Sequence, residues 1–377
     1  MTPSKTIPFF NYPSLFRESE AEFMEAVRDV FARGAFIMQQ DLESFEAELA
    51  AYAGVKHAVG VADGTMGLLL PLQSLELRPG DEVIVPSHTF VASAAAIHHA
   101  GGTPVLADCG SDHLIDADSI RGAMTPRTRA ILPVHLNGRT ANMREICAIA
   151  GEAGVRIVED ACQALGSRFA GRCAGSFGVA GSISFYPSKT LGCFGDGGAV
   201  LSNDDEVAAR VRLLRDHGRA GDGTVVAWGY NSRLDNVQAA ILRLKLRRYD
   251  ASIARRREVA AIYHSRLGKR EELLLPPSPD SNRDRFDIFQ NYEIEAHERD
   301  RLRAFLESRG VKTILQWGGK LIHQFPKLGL PKRVPLPNSE RLPDCFMLLP
   351  MNTSLSNDDV HIVCDHIEEF YDKGVRA

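Results

Sequence analysis

From Lys56 to Asn203, short apolar runs alternate with segments whose apolar residues recur at helical spacing. The runs are His57–Ala62, Glu82–Pro86, Thr103–Asp108, Ala130–His135, Arg156–Asp160, Gly181–Phe185 and Gly198–Ser202. Their near-continuous apolar character suits strands covered on both faces. Thr65–Leu77, Ala92–Ala100 and Arg144–Ala153 lie between them and read as helices. This alternation predicts an α/β core around a mostly parallel sheet. Further along, the pattern predicts a helix over Asp204–Arg215 and a long helical stretch over Asp235–Leu267. Pro276-Pro277-Ser278-Pro279-Asp280-Ser281 reads as a loop. Ile288–Ala377 mixes strand-like and helical pieces, as a smaller α+β domain would. The expected division is a large domain over 1–245 and a small one over 246–377.

Composition narrows the function classes. A length of 377 residues favours two domains. A net charge of −4 creates no overall field to attract nucleic acid or anionic lipid. The 235–267 stretch does carry Arg243, Lys245, Arg247, Arg248, Arg255, Arg256 and Arg257. Apolar Leu242, Leu244, Leu246, Ile253 and Val259 interleave with them, so a charged outer face is favoured over a nucleic-acid surface. No run approaches the ~18 apolar residues of a membrane helix, and the start lacks the apolar core of a signal peptide. Seven cysteines without paired spacing argue against a disulfide framework or a zinc site, and no metal is expected. A reduced, cytoplasmic protein is the expectation.

Candidate chemistry falls at the strand ends. Asp63-Gly64-Thr65, Phe90, Asp160 and Lys189 all sit at or just past one, where open α/β sheets bind ligands. A lysine able to form a Schiff base, with an aspartate to protonate a pyridine nitrogen, is the minimal set for pyridoxal 5'-phosphate (PLP) chemistry. Asp160 could equally be a helix cap. Gly64 and Thr65 open a helix whose first N–H groups suit a phosphate, or merely need capping. Ser184 lies close enough in sequence to Lys189 to share a phosphate pocket, or is a strand serine bonded to backbone. Phe90 could stack on the pyridine ring or be a core aromatic. Gln163 could reach the cofactor's phenolic oxygen or lie on the surface.

Several motifs together resemble the DegT/DnrJ/StrS sugar aminotransferases. They are Pro86-Ser87-His88-Thr89-Phe90-Val91-Ala92, Glu159-Asp160-Ala161-Cys162-Gln163-Ala164-Leu165-Gly166, Ser184-Phe185-Tyr186-Pro187-Ser188-Lys189 and Gly195-Asp196-Gly197-Gly198. Asp216-His217-Gly218, Gly229-Tyr230-Asn231-Ser232-Arg233-Leu234-Asp235 and Gln238-Ala239-Ala240 continue the match, with weaker echoes at His323-Gln324 and Leu349-Pro350. The resemblance implies a fold-type I, aspartate-aminotransferase-like PLP enzyme working as a homodimer with shared active sites. It implies that Lys189 forms the Schiff base, Asp160 pairs with the pyridine nitrogen and Gln163 approaches the phenolic oxygen. Phe90 would cover the ring, Gly64, Thr65 and Ser184 would bind phosphate, and Asn231 would reach it from the neighbouring subunit.

The sequence also departs from the family. Gln39 in Phe36-Ile37-Met38-Gln39 stands where relatives often have glycine, and Asp63 where many have Ser or Asn. Asn137 in His135-Leu136-Asn137-Gly138-Arg139 replaces a frequent aromatic. Met38, Gln39, Asn137, Arg139 and His323 are therefore the candidate substrate contacts. The implied reaction passes an amino group from glutamate or glutamine to a keto sugar, nucleotide-linked and possibly 3-keto, for surface polysaccharide, lipopolysaccharide or glycoside synthesis. An unactivated keto sugar and a non-catalytic PLP-binding regulator are the alternatives. A sugar dehydratase of this fold would carry histidine in place of Lys189, and no Gly-x-Gly-x-x-Gly supports a nicotinamide enzyme.

Overall fold

The computed structural model describes residues 6–373. Strands β1 (His57–Val61), β2 (Glu82–Pro86), β3 (Thr103–Ala107), β4 (Thr128–Ile131) and β5 (Arg156–Asp160) come first. A short hairpin follows, β6 (Arg168–Phe169) and β7 (Arg172–Cys173), then β8 (Ala180–Ser184) and β9 (Gly198–Ser202). One seven-stranded sheet has the order β1-β9-β8-β5-β4-β2-β3. Pairs from β3 across to β8 are parallel, whereas β9 runs antiparallel to both β8 and β1. The apolar runs need cover on two faces, and they have it. Along β9, Ala199 and Leu201 enter one buried cluster while Val200 enters another. Helices Gly64–Ser74, Val91–His99 and Met143–Ala153 fall within a residue or a few of the expected spans.

Two expectations need correction. The run over 130–135 stops being a regular strand at Ile131, because Pro133 has no N–H to give the ladder. It continues as a single bridge, Val134 to Asp160, in which His135 N–H donates to the Asp160 carbonyl at 2.9 Å. The long helical stretch is two helices, Asn236–Leu246 and Tyr249–Leu267. No proline or glycine marks the break; tertiary packing makes it. Tyr249 turns into the core and its hydroxyl donates to the Leu165 carbonyl at 2.7 Å, while Arg248 reaches Ser19 and Glu22.

The basic row is also not simply an outer face. Arg256 is buried and donates to the carbonyls of Phe289, Gln290 and Met351, and Lys245 donates to the Gly192 carbonyl at 2.6 Å. Arg243 pairs with Glu48 and Arg248 with Glu22. Arg256, Lys245 and Arg243 are thus engaged within the fold, whereas the Arg248–Glu22 pair is exposed.

A second, antiparallel sheet joins β10 (Leu273–Leu274), β12 (Tyr292–Ala296) and β13 (Phe346–Leu349), whereas β11 (Arg285–Phe286) pairs with β6. Helices Arg299–Ser308 and Asn357–Asp372 pack on this sheet in a cluster of its own. Helix Tyr249–Leu267 begins in the large core with Tyr249 and Ile253 and ends in the small one with Val259 and Tyr263. Residues 276–281 are irregular, as expected. Among the described residues, no helix is long and apolar enough to cross a membrane, and all seven cysteines are free.

Candidate active site

The carboxyl ends of β1, β5 and β8 meet at one cavity of about 430 Å³. Lys189, Asp160, Gly64, Thr65, Phe90, Gln163 and Ser184 all line it. Close backbone approach builds the floor. A Cβ on Gly198 would fall 2.4 Å from the Asp63 carbonyl carbon, and one on Gly64 would meet Ser184 Cβ at 2.9 Å. Glycine at both positions therefore brings the start of helix Gly64–Ser74 against the end of β8. Asp63 caps that helix by accepting from Met66 N–H at 2.9 Å, so its carboxylate is engaged with the first turn. The leading N–H groups of the helix have no partners within it, and Ser184 supplies a hydroxyl beside them.

Asp160 is buried, and its two carboxylate oxygens are held separately. Ser93 Oγ donates to Oδ2 at 2.7 Å, and Cys162 N–H donates to Oδ1 at 3.1 Å. Ser93 is itself hydrogen-bonded to Thr89 at 2.8 Å. The adjacent Glu159 serves the scaffold instead, accepting from the N–H groups of Gly175, Phe177 and Gly178 and from His135. Burial pushes the Lys189 ammonium below its ordinary pKa, with Cys162 and Asp160 opposing more weakly. Burial, aided by Asp160, holds the Cys162 thiol protonated. Gln163 Oε1 accepts from Asn137 N–H at 2.8 Å, which leaves its amide nitrogen free to face a ligand's oxygen.

These features fit PLP: an oriented carboxylate, a part-buried lysine biased toward the free amine, and a glycine-cradled anion site. They separate the paired readings of the sequence. Asp63 is the cap; Gly64, Thr65 and Ser184 face the cavity. Phe90 is 50% exposed rather than a core aromatic.

The other candidates lie elsewhere. Asn137 and Arg139 line a second cavity across Leu136, where Arg139 Nε sits 3.6 Å from Asp287. His323 Nδ1 pairs with Ser87 Oγ at 2.6 Å. Gln39 donates to the Ile37 carbonyl at 3.3 Å, Met38 is part-exposed with a left-handed φ of 49°, and Asn231 is exposed. None of them lines the Lys189 cavity within one chain. Sequence reasoning missed Ser93, Tyr186, Asp196 and Trp317. For Ser93 the signal was its helical spacing from Thr89; for Trp317 it was an aromatic followed by Gly318-Gly319.

Beside the second cavity, His88, His113 and Glu293 bring ligand-type atoms within 4.8 Å of one another. A proton already ties that cluster. His113 bonds Glu293 at 2.6 Å and Glu295 at 2.9 Å. Burial opposes its charge, yet the two carboxylates outweigh it and raise its pKa to about 9.

Comparison with known proteins gives the chain's family. The model of the DegT/DnrJ/EryC1/StrS aminotransferase family matches residues 17–368. The dTDP-3-amino-3,4,6-trideoxy-alpha-D-glucose transaminase of Streptomyces venezuelae is 39% identical over 371 residues, 97% of each chain. A protein of Geobacillus stearothermophilus described as a pleiotropic regulatory protein is 37% identical over 368 residues, covering 97% of this chain and 98% of its own. The crystal structure of S. venezuelae DesV, in complex with a ketimine intermediate, superposes with a TM-score of 0.93 at 38% identity over 99% of each chain. With a match running almost end to end, and with a part-buried lysine and an oriented aspartate at the strand edge, this chain belongs to the DegT/DnrJ/EryC1/StrS aminotransferase family.

Proposed function

We propose that the protein transfers an amino group from glutamate or glutamine to a nucleotide-linked 3-keto sugar, with Lys189 as the reacting amine and Asp160 as the ring-nitrogen partner. The observation that carries it is the pairing, in one cavity, of a lysine biased toward its neutral form with a carboxylate fixed by Ser93 and Cys162 N–H. The transaminase relative, whose name specifies a dTDP-linked 3-amino sugar, supports the substrate class. The relative described as regulatory keeps a non-catalytic role in view, but nothing in this site disables the chemistry.

Bound PLP supplies an aldehyde to carry the amino group and a protonated ring to draw off electrons. Asp160 holds the proton on the ring nitrogen, and Ser93 keeps the carboxylate turned toward it. Gly64 and Thr65 N–H groups and the Ser184 hydroxyl bind the phosphate. Phe90 covers one ring face, and the Gln163 amide donates to the phenolic oxygen. Lys189 Nζ would take the proton from Cα of the donor amino acid and return it to the cofactor, which keeps the amino nitrogen, while water supplies the oxygen of the keto acid that leaves. In the second half Lys189 delivers a proton to the sugar carbon that receives nitrogen. Only the neutral amine can begin this, which is what burial secures.

The 1–245 unit holds this site and the 246–377 unit covers it from one side. A second copy completes it: Asn231, absent from its own cavity, reaches the partner's phosphate site. Exposed Val225, Val226 and Trp228, the last 97% exposed, supply an apolar edge beside it for that contact. The setting is the cytoplasm, and the product feeds a surface polysaccharide or a glycoside. Incubation with L-[15N]glutamate and a dTDP-3-keto sugar tests this. The expected amino sugar carries the label; unlabelled sugar returned unchanged contradicts the reading.

A further inference from the structure

We infer that Trp317 is the platform on which the sugar ring lies, held in place by an amide network that also sets Gln163. The inference rests on the sugar-aminotransferase reading and names the residue that would select its substrate. Trp317 is the only aromatic that the smaller unit sends into the Lys189 cavity among the described residues. Its ring lies 6.3 Å from that of Phe90, and His88 meets it edge-on at 5.7 Å. The indole is thus braced from beneath and sits one ring's width from the residue that covers the cofactor.

The backbone shows how strongly this position is imposed. Trp317 is left-handed (φ 51°, ψ 31°), and Gly318 and Gly319 follow at φ 71° and 77°. An L-residue with a large side chain adopts this conformation only where its surroundings enforce it, and such places cluster at ligand sites. The enforcing contacts are visible. Buried Gln316 donates through Nε2 to Asn137 Oδ1 at 3.1 Å, and Asn291 Nδ2 donates to the same oxygen at 2.8 Å. Asn137 is itself left-handed at φ 56° and gives its N–H to Gln163. One asparagine therefore fixes both the aromatic roof and the glutamine beside the cofactor. This gives Asn137 a positioning role toward Trp317.

A flat indole lining the cavity that holds Lys189 suits the C–H face of a pyranose. The nucleobase lies a diphosphate away and cannot share that position. The donor amino acid presents no such face. Removing the indole should therefore slow the sugar half-reaction and spare the donor half-reaction.

Cofactor absorbance reads each half separately in holoenzyme. Trp317→Asn is the principal variant because asparagine tolerates the left-handed backbone; Trp317→Phe retains a flat face. With glutamate, both variants should match wild type. With dTDP-3-amino-3,4,6-trideoxy-glucose run in reverse, Trp317→Asn should fall roughly 10–100-fold in rate over KM, and Trp317→Phe by less than about threefold. Equal losses in both halves, or no loss in the sugar half, overturn the platform. A wild type that answers glutamate but neither this sugar nor other dTDP- or UDP-linked 3-amino sugars overturns it along with the substrate class. A wild type silent toward glutamate and glutamine alike contradicts the aminotransferase reading instead.

Discussion

The floor and the roof of the cavity are built by opposite means. The floor is made of strand ends and helix starts, with glycines at the closest approaches and Asp160 braced by Ser93 on the neighbouring helix. Its geometry follows from the sheet. The roof is Trp317, carried in a short turn of left-handed residues that follows Gln316, whose side-chain amide is bonded to Asn137. The two meet at Asn137, which accepts from Gln316 of the roof and donates its N–H to Gln163 of the floor.

The two should respond differently to substitution. Lys189→Met should abolish both half-reactions, by at least about 10³-fold, in single-turnover absorbance assays. The same change should raise the thermal stability of the cofactor-free protein. A lysine with a depressed pKa binds fewer protons folded than unfolded between its native pKa and its ordinary 10.5, so its penalty to the fold sets in below 10.5, grows as pH falls and is fully present below the native pKa. Asp160→Asn should slow both halves by about 10²–10³-fold and weaken cofactor retention in dialysis. Ser93→Ala, which leaves Asp160 in place but frees one oxygen, should cost about tenfold in both halves without altering the sugar-to-donor ratio. A floor variant that changed that ratio would erase the distinction.

The smallest effect belongs to the scaffold beneath the roof. His113, with its pKa raised to about 9, contributes stability that is fully present below its unfolded pKa near 6.5 and lost as pH rises through 9. Glu295→Gln should therefore destabilise the protein by about 1–3 kcal/mol at pH 7, and by less at pH 10, in denaturant unfolding. An unchanged pH dependence would show that His113 is not the titrating group.

How much was legible follows the same division. The strands around the floor are apolar on both faces and end in short chemical motifs, so Asp160, Lys189 and the Gly64-Thr65 turn could be placed by pattern alone. The roof has no period: its residues are fixed by contacts between Gln316, Asn137 and Asn291, far apart in sequence. Trp317 was therefore missed, as were the side-chain bonds that tie Asn137 to Gln316 and Asn291. The break before Tyr249 was hidden for the same reason, since no local residue encodes it. Asn231 could be placed only through resemblance, because the role proposed for it depends on a second chain.

The most direct test is to reduce the purified holoenzyme with borohydride and map the modified lysine by peptide mass spectrometry. A single pyridoxyl group on Lys189, discharged by prior incubation with glutamate, is the expected result. A pyridoxyl group on another lysine, or none on protein loaded with PLP, would contradict the assignment of Lys189 as the reacting amine.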